Sequence, residues 1–384
     1  MTNERPRVVL AGAGGYGRLY LEALTSGDMG ADLVAVCDTD PTLAGRLAVL
    51  RQRQIPVYPS MGAFFEADTA QLAVLASPVH YHTEMALTSL AHGANVLCEK
   101  PLCLTVAEAE AMRAAAQKAG RFLSVGYQLD HRRDVLALKA DILSGRFGRP
   151  QRCAVYHGFR RGANYYARNA WAGHITSGGR EVFDSPFANA CAHHFQMLTF
   201  LLGPALRMAR SVERVQAELY RANPNIENYD IAALRFTAEG GIPLLYYTVH
   251  PIRTACWGPV GVLEFEHARI TYTGEVPVFH GTMADGTPFD YSHIDPGGPM
   301  QKLADAIAAV RTGEAPVCGP EADFPHIKAV RMVQEHPIVP VRSELIEPVC
   351  AEGDSFFFVR ELEETLAHCA EQWALPSELG IRLG

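Results

Sequence analysis

Residues 7–17 of the chain read RVVLAGAGGYG, and this stretch indicates the fold of the N-terminal part. The apolar run from Val8 to Ala11 is typical of a buried parallel strand, and the residues after it continue as a helix. Gly12, Gly14 and Gly17 stand between the two at G-x-G-x-x-G spacing. The first glycine permits a tight turn, the second lets the backbone approach a pyrophosphate, and the third lets helix and strand pack closely. We therefore predict a nucleotide-phosphate site at the helix N-terminus, the alternative being a plain turn.

The composition limits the class of protein and its partners. The 384 residues suit two domains of about 100–200 residues each. Hydrophobic residues make up 48% and charged residues 20%, which is ordinary for a soluble globular protein. The formal net charge is -8, so we expect a small-molecule substrate and neither a nucleic acid nor an anionic membrane surface as partner.

Cysteine usage and the start of the chain indicate the compartment. The nine cysteines are scattered, with no C-x-x-C pair and no ligand-like cluster, so we expect reduced thiols and no metal site. The first predicted strand begins within ten residues of Met1, which leaves no room for a signal peptide. No apolar run approaches the roughly 18 residues of a membrane span. We therefore predict a cytoplasmic protein.

A second apolar run, 33–37, ends at Asp38. Asp38 lies 21 residues after Gly17, where the second strand of a dinucleotide-binding sheet presents an acid to the ribose hydroxyls. An acid at this point repels a 2′-phosphate, so we expect NAD as cofactor and NADP less. The alternative is a cap for the helix that begins near Pro41, for which Asp40 is better placed.

Strands and helices then alternate as far as residue 126. Further strands are predicted at 55–58, 72–76, 95–98 and 122–125, and helices at 60–65, 80–92 and 105–119. Thr105 with Glu108 three residues later predicts a capping box at the start of the last helix. The alternation predicts an α/β doubly wound parallel sheet of six strands, whose ligand crevice lies at the carboxyl ends of the strands.

Polar residues follow the fourth and fifth predicted strands. Ser77-Pro78 comes after the fourth, with His82 just beyond, and Glu99-Lys100-Pro101 comes after the fifth. A charged pair directly after a buried strand costs desolvation energy unless it is used. Lys100 at this point can present its ammonium group to a substrate oxygen. The alternative is a surface Glu-Lys turn stiffened by the proline.

These residues resemble the Gfo/Idh/MocA family of nicotinamide-dependent oxidoreductases, named for glucose–fructose oxidoreductase and inositol dehydrogenase. The matching stretches are AGAGGYG at 11–17, SPVHYHTEMALTSLAHGANVLCEKPLCLTVAEAEAM at 77–112 and GGREVFDSPFANACAHHFQMLTFLLG at 178–203. The resemblance implies a Rossmann domain over 1–126 and, over 127–340, an α/β domain with a large, mostly antiparallel open sheet for substrate and oligomer contacts. Residues 341–384 are predicted as a linker and a helix that packs back on the body. A homodimer or homotetramer is the expected assembly.

The resemblance also implies the residues of the site. The family places catalysis on the lysine of the EKP tripeptide, which is Lys100 here. The residues expected to bind the cofactor are Gly12, Gly14, Gly15, Tyr16, Gly17, Asp38, Ser77, Pro78, His82, Glu99, Lys100 and Gln128. Glu99 is expected on the ribose or nicotinamide side.

Two family motifs are altered in this chain. The D-x-x-x-H motif before Leu-Leu-Gly places its histidine on His193, but its aspartate position holds Asn189. Asparagine cannot act as a general base, so proton transfer would depend on His193 together with Lys100. Asp184 is a candidate to compensate, although a different helical phase argues against it. The usual G-F/Y-N-x-R reads Gly-Tyr-Gln-Leu-Asp at 126–130, which indicates an unusual pocket or transfer of the arginine role to Arg132 or Arg133.

The second half of the chain gives a weaker pattern. Strands are predicted at 152–159, 208–220, 229–237, 243–251 and 260–273, and helices at 193–202, 300–310, 324–334 and 355–373, with an extended linker at 337–348. The long loop 160–181 carries aromatic residues and is expected to shape the substrate side. A histidine on an apolar helix is by default a core residue, and only the family position favours catalysis for His193. The roles of His157, His174 and His250 stay open.

The leading hypothesis is an NAD-dependent dehydrogenase that oxidises a secondary alcohol of a sugar, polyol or related small hydroxylated molecule. Lys100 would bind the reacting hydroxyl, His193 would accept its proton, and Asn189 would orient the substrate or His193. One alternative is an enzyme that retains NAD for a net non-redox reaction such as epimerisation, elimination or glycoside cleavage. Another is a non-catalytic NAD-binding sensor, which Asn189 favours and the intact EKP tripeptide opposes.

Overall fold

The structure, a computed structural model, describes residues 5–40 and 42–384. Its helices are Gly17–Ser26 (α1), Leu43–Arg46 (α2), Ala48–Gln52 (α3), Met61–Ala67 (α4), His82–Ala91 (α5), Val106–Ala119 (α6), Arg133–Leu143 (α7), Ala163–Tyr166 (α8), Ala192–Leu201 (α9), Gln301–Thr312 (α10), Pro320–Gln334 (α11) and Leu362–Glu371 (α12). Its strands are Arg7–Ala11 (β1), Asp32–Cys37 (β2), Val57–Tyr58 (β3), Leu72–Leu75 (β4), Asn95–Cys98 (β5), Leu123–Val125 (β6), Pro150–Phe159 (β7), Thr176–Ser177 (β8), Arg180–Glu181 (β9), Val212–Arg221 (β10), Ile231–Ala238 (β11), Ile242–Val249 (β12), Cys256–Phe265 (β13), Ala268–Thr273 (β14), Val278–Met283 (β15), Pro288–Asp290 (β16), Ile338–Pro340 (β17), Ile346–Ala351 (β18) and Asp354–Val359 (β19).

The chain divides into two compact units. The first unit is Met1–Arg132 with Pro296–Phe324, and the second is Arg133–Asp295 with Pro325–Gly384. A segment from late in the chain, including α10, therefore belongs to the same unit as the N-terminal sheet.

The first unit contains a six-stranded parallel sheet in the order β3-β2-β1-β4-β5-β6. This order is that of a dinucleotide-binding Rossmann sheet and confirms the predicted doubly wound fold. Strands β1, β4 and β5 are almost wholly buried because helices cover both faces, which is why they read as continuous apolar runs. The core on one side of the sheet joins residues of α1 to residues of α10: Tyr20, Leu21, Leu24, Leu303, Ala306 and Ile307.

The start of α6 confirms the predicted capping box. The Thr105 hydroxyl accepts a hydrogen bond from the Glu108 backbone N–H at 3.2 Å, and the Glu108 carboxylate accepts one from the Thr105 backbone N–H at 3.1 Å. The helix ends on Gly120 in the left-handed region, with a φ of 61°. Both ends of the helix are therefore determined by residues visible in the sequence.

The second unit contains a nine-stranded sheet in the order β16-β15-β14-β13-β7-β12-β11-β10-β17. The pairs β7–β12 and β10–β17 are parallel and the others antiparallel, which confirms the predicted large, mostly antiparallel sheet. Tyr156 and Tyr247, which pair across β7 and β12, pack with Leu362 and Leu366 of α12 on one face. Since side chains alternate along a strand, His157 points to the opposite face.

The structure corrects several predicted elements of the second half. The predicted single strand 260–273 is two strands, β13 and β14, and β15 and β16 extend the sheet beyond them. The predicted helix from Ser355 to Trp373 is wrong in its first part, because residues 354–359 form β19 in a hairpin with β18. Phe356 and Phe358 are buried at a spacing of two, which is the period of a strand. The predicted linker 337–348 contains β17 and the beginning of β18.

Candidate active site

The loop between β1 and α1 requires two of its glycines for its own geometry. Gly12 has a φ of 82°, and a Cβ there would lie 2.8 Å from the carbonyl oxygen of Ala76. A Cβ at Gly17 would lie 2.1 Å from the carbonyl oxygen of Gly12. Gly14 differs, because a Cβ there would meet no described atom within 4 Å and its φ is not positive. Packing therefore does not explain Gly14, whereas the approach of a pyrophosphate does, and the loop fits a dinucleotide.

Asp38, at the end of β2, holds the glycine loop in place. Its Oδ2 accepts a hydrogen bond from the backbone N–H of Ala13 at 3.1 Å, and its Oδ1 accepts one from the N–H of Asp40 at 3.0 Å. Asp40 in turn accepts hydrogen bonds from the backbone N–H and hydroxyl of Thr42, at 2.8 and 2.7 Å. Asp40 thus supports the start of α2, while Pro41 lies outside the described residues. The ribose role of Asp38 stays a prediction.

Tyr16 and Gln128, both expected to bind the cofactor, are brought together by the fold. The Tyr16 hydroxyl donates a hydrogen bond to Oε1 of Gln128 at 3.0 Å. This bond ties the glycine loop to the segment that follows β6, so the two strand ends act as one rim. Gly15, next to Tyr16, has a φ of 48°, and a Cβ there would meet no described atom within 4 Å. No described atom therefore fills the space beside this part of the loop.

His82 is buried, and its ring binds backbone groups of two loops. Its Nε2 lies 2.8 Å from the carbonyl oxygen of Ser77, and its Nδ1 lies 3.0 Å from that of Pro101 and 3.2 Å from that of Leu102. Burial lowers the pKa of the ring, although these carbonyls act in the opposite direction. This placement favours a positioning role, in which His82 clamps the Ser77-Pro78 loop to the EKP loop, over direct contact with the cofactor.

Glu99 forms a buried ion pair with Lys302 of α10. The Lys302 ammonium also donates to the carbonyl oxygen of Gly126 at 3.0 Å, and the Tyr20 hydroxyl donates to Oε1 of Glu99 at 2.6 Å. Burial raises the pKa of Glu99, but Lys302, Tyr20 and Lys100 outweigh it and hold the net value below the usual range. The carboxylate is therefore ionised and occupied by protein donors, which favours a supporting role beneath Lys100.

Lys100 lies half-buried at the carboxyl end of β5, in a loop whose backbone N–H groups donate to Glu99 and Asp323. Its charge lowers the pKa of both Glu99 and Asp323. Burial raises the pKa of Asp323 to about 6, even though Asp323 accepts hydrogen bonds from the Leu102 N–H at 3.0 Å and from the Tyr127 hydroxyl. The charge of Lys100 thus acts on one ionised acid and on one whose pKa burial raises to about 6.

Asn189 is hydrogen-bonded to a carboxylate in the second unit. Its Nδ2 donates to Oδ1 of Asp184 at 2.8 Å, and Oδ2 of Asp184 accepts from the Gly173 N–H at 2.7 Å. Asp184 precedes the π-helical turn Pro186–Ala190, so the expected mismatch of helical phase does not apply. The Asp184 side chain is only 5% exposed. A carboxylate thus contacts the position at which the family motif has one.

His193 is the one residue of α9 that is not buried. Every other position from Ala192 to Leu201 lies in the interior. Its neighbour His194 stacks on Tyr272 with ring centroids 5.5 Å apart and lies 3.3 Å from the Tyr272 hydroxyl through Nδ1. These contacts give His194 a structural role, while the catalytic role of His193 stays a prediction.

The three histidines whose roles were open differ in their surroundings. His157 is buried with Nε2 2.6 Å from Oε1 of Glu275, and His250 is buried with Nδ1 2.8 Å from the Tyr166 hydroxyl. Burial, Arg161 and Arg168 hold the pKa of His250 well below its usual range, so its ring is neutral. His174 is half-buried beside Glu227, with 3.6 Å between Nδ1 and the carboxylate.

Two charged residues of the site were missed in the sequence. Lys302 and Asp323 follow the first sheet by some two hundred residues, so no local motif joins them to it. Lys302 stands on the apolar face of α10, four residues before Ala306, and a lysine on a buried face was the available signal. Asp130, expected to mark an unusual pocket, is instead fully buried and accepts a hydrogen bond from the Cys318 thiol at 3.3 Å.

Comparison with known proteins identifies the first unit. Residues 6–127 match the model of the Gfo/Idh/MocA family, described as an oxidoreductase family with an NAD-binding Rossmann fold. Over these residues the chain is similar to the Gfo/Idh/MocA family. This confirms the resemblance drawn from the sequence and NAD as the predicted cofactor.

Curated relatives of the chain include dehydrogenases named for a polyol and a sugar. The chain is 30% identical to inositol 2-dehydrogenase of Ralstonia nicotianae over 198 residues, which is 51% of this chain and 54% of the relative. It is 27% identical to D-apiose dehydrogenase of Paraburkholderia graminis over 248 residues, 63% of this chain and 60% of the relative. The chain spans about half the length of the first curated relatives it matches.

Solved structures share the fold over most of the chain. The WlbA dehydrogenase of Bordetella pertussis, in complex with NADH and UDP-GlcNAcA, has a TM-score of 0.69 at 21% identity and covers 86% of this chain and 97% of its own. Aldose-aldose oxidoreductase of Caulobacter crescentus has a TM-score of 0.69 at 18% identity, with 86% and 98% covered. These likenesses show the two-part fold. Among residues 5–40 and 42–384, each helix is too short or too polar to cross a bilayer.

Proposed function

We propose that this protein is an NAD-dependent dehydrogenase of the Gfo/Idh/MocA family that oxidises a secondary alcohol of a sugar, polyol or related small hydroxylated molecule. The observation that carries the proposal is the half-buried Lys100 at the carboxyl end of β5, in a loop whose backbone is hydrogen-bonded to Glu99 and Asp323, within the residues that match an NAD-binding oxidoreductase domain. The relatives named inositol 2-dehydrogenase and D-apiose dehydrogenase support the substrate class.

The glycine loop and Asp38 would hold the cofactor. The backbone at Gly14 and the N-terminus of α1 suit the phosphates, since free N–H groups and the positive end of the helix dipole meet there. Asp38 is already fixed by the Ala13 N–H and would accept the ribose hydroxyls with its remaining lone pairs. When bound, NAD accepts the hydride, and the protein supplies orientation and charge.

Lys100 would bind the reacting hydroxyl oxygen and stabilise the negative charge that develops on it. Such preorganised charge is most effective where it needs no rearrangement during reaction. Glu99 fixes the start of the loop by accepting the Lys100 backbone N–H at 3.1 Å, and Asp323 fixes its end by accepting the Leu102 N–H. The two acids thus position the loop that carries the ammonium group.

His193 would accept the hydroxyl proton on its ring, a role suited to the pKa of imidazole. Asn189 cannot accept this proton, but it binds Asp184 at 2.8 Å. We assign to Asp184 the electrostatic support that a carboxylate at position 189 gives in the family motif. The proposal further includes a homodimer or homotetramer and a location in the cytoplasm.

The test is a panel of sugars and polyols assayed for reduction of NAD and NADP. We expect NADH to accumulate with at least one polyol or sugar, and NAD to be preferred over NADP. Lys100→Ala is expected to lose turnover by at least about 10²-fold while it still binds NAD. Lys118→Ala, which removes an exposed lysine from the last turn of α6, is the matched control and should keep full activity.

The outcomes separate the alternatives. Normal turnover of Lys100→Ala with intact NAD binding would overturn the assignment of Lys100. Product formation without free NADH would instead identify an enzyme that retains its cofactor. Tight NAD binding with no turnover on any substrate of the panel would favour a sensor.

A further inference from the structure

Three side chains that are distant in sequence converge beside the second sheet. Nε2 of His157, on β7, lies 2.6 Å from Oε1 of Glu275, in the turn between β14 and β15. Sγ of Cys256, at the start of β13, lies 3.5 Å from the same oxygen. The imidazole nitrogen, the thiol sulfur and the carboxylate oxygen all lie within 4.8 Å of one another. These are three of the ligand types that zinc-type cations use in proteins.

We infer that His157, Cys256 and Glu275 form a binding site for a zinc-type divalent cation. A tetrahedral zinc with bonds of about 2.0–2.3 Å separates its ligand atoms by roughly 3.3–3.8 Å. The distance from Cys256 to Glu275 already falls in this range. The His157–Glu275 pair must open by under about 1 Å. Glu275 can supply that movement, because its side chain is 50% exposed and sits in a turn.

The scaffold holds one ligand rigidly and leaves the other two accessible. The His157 side chain is 1% exposed, and its ring is held between Phe159 and His194 with centroids 4.7 and 5.0 Å away. Cys256 is exposed and donates to the carbonyl oxygen of Gly258 at 3.3 Å, a weak bond that metal binding can replace. A fixed histidine with two surface ligands provides both a defined geometry and an entry path for the cation.

A simpler account is a histidine–glutamate ion pair with an unrelated thiol nearby. In that account the Cys256 thiol only donates a weak hydrogen bond to the same carboxylate oxygen, and the experiment below distinguishes it from a metal site. Three protein ligands also leave a fourth position for water or an oxygen of a ligand. The site uses none of the residues proposed for hydride chemistry, so metal binding can be tested independently of that function.

The experiment is a titration of the reduced, metal-free full chain with Co²⁺, followed by absorption spectroscopy. We expect one equivalent to bind and to give the near-ultraviolet charge-transfer absorption of a cobalt–thiolate bond, and Zn²⁺ to displace it. Cys256→Ser should abolish the charge-transfer absorption. Cys350→Ser, the matched control, removes the other exposed cysteine of the described chain and should leave it unchanged. Glu275→Gln should weaken Zn²⁺ binding by at least about tenfold.

Thermal unfolding of the metal-free variants separates loss of a ligand from loss of the fold. Both Cys256 and Glu275 are exposed, so we expect both variants to fold, with an unchanged midpoint for Cys256→Ser and a lower one for Glu275→Gln, because Glu275 pairs with the buried His157. Equal charge-transfer absorption in the Cys256→Ser variant, or no stoichiometric Co²⁺ binding by the unmodified chain, would overturn the site. Unchanged Zn²⁺ affinity in Glu275→Gln would do so as well, because the carboxylate is one of the three ligands.

Discussion

Replacing Lys302 by methionine removes the cation that faces Glu99 while keeping a long, flexible side chain at that position. The Glu99 side chain is 10% exposed and that of Lys302 is 1% exposed, so water cannot take the place of the ammonium group. Removing one partner of a buried ion pair costs about 3–5 kcal/mol, because the other charge is left uncompensated. The hydrogen bonds to Glu99 from the Tyr20 hydroxyl and the Lys100 N–H remain, so we expect about 3 kcal/mol.

The sign of the pH dependence is the sharper part of this prediction. In the unmodified chain the pKa of Glu99 is lowered, so its carboxylate adds stability that is present above the unfolded pKa, about 4.3, and lost as the pH falls through the folded value. Without Lys302, burial is the strongest remaining influence and raises the folded pKa above the unfolded one. Stability is then greatest below about pH 4.3 and is lost as the pH rises through the new folded value. The deficit of the variant should therefore be smaller at about pH 5 than at about pH 8.

The measurement is thermal unfolding at both pH values, followed by circular dichroism. A loss of about 3 kcal/mol corresponds to a midpoint about 6–12 °C lower for a unit of this size. Lys118→Met, at an exposed position, is the control and should stay within about 0.5 kcal/mol. Glu99→Gln combined with Lys302→Met should recover part of the loss and remove the pH dependence. A deficit that is equal at both pH values, or larger at the lower one, would refute the buried-charge explanation.

Two further predictions concern the cofactor loop and the acid beside Asn189. Gly14→Ala should keep the unfolding midpoint and weaken NAD binding, whereas Gly17→Ala should lower the midpoint because its Cβ would meet the backbone of Gly12. Thermal unfolding measures the midpoints and calorimetric titration measures NAD binding. Equal effects of the two variants in both assays would contradict this geometry. Asp184→Asn should lower kcat by at least about tenfold with little change in KM and shift the acid limb of the pH–rate profile, since the charge supporting proton transfer at His193 is gone. A loss of stability with an unchanged pH profile would show that Asp184 is only structural.

The first sheet was predictable because its information is local. Each buried parallel strand is a continuous apolar run bounded by a glycine or a cap, and the glycine spacing at 12–17 marks the phosphate loop. The second sheet is mostly antiparallel, and only two residues separate β13 from β14, so the boundary between them and the strand β19 were not resolved by pattern alone. Phe356 and Phe358 do have the two-residue spacing of a strand, but they lie just before α12, so the sequence reads as one longer helix.

The contacts that hold the EKP loop in place could not be predicted, because the residues that make them are far apart in the sequence. Lys302 and Glu99 are 203 positions apart, and Leu102 and Asp323 are 221 positions apart. Neither pair has a fixed spacing that a motif could record. For Glu99 the sequence indicated correctly that a buried charge must be used, but not that the protein itself uses it.

At Asn189 the chain lacks the aspartate of the family motif, but the carboxylate of Asp184 contacts the Asn189 side chain. An aspartate at 189 would place a carboxylate on the turn before α9. In this chain the nearby carboxylate is that of Asp184, whose Oδ1 lies 2.8 Å from Nδ2 of Asn189. The amide of Asn189 donates a hydrogen bond to that carboxylate and so holds the Asp184 side chain in place. Asn189→Asp would set two carboxylates against each other, and like charges at this distance raise the pKa of one of them. With asparagine at 189 this pair holds a single carboxylate, and in the proposed function the departure from the family motif is part of the proton-transfer apparatus.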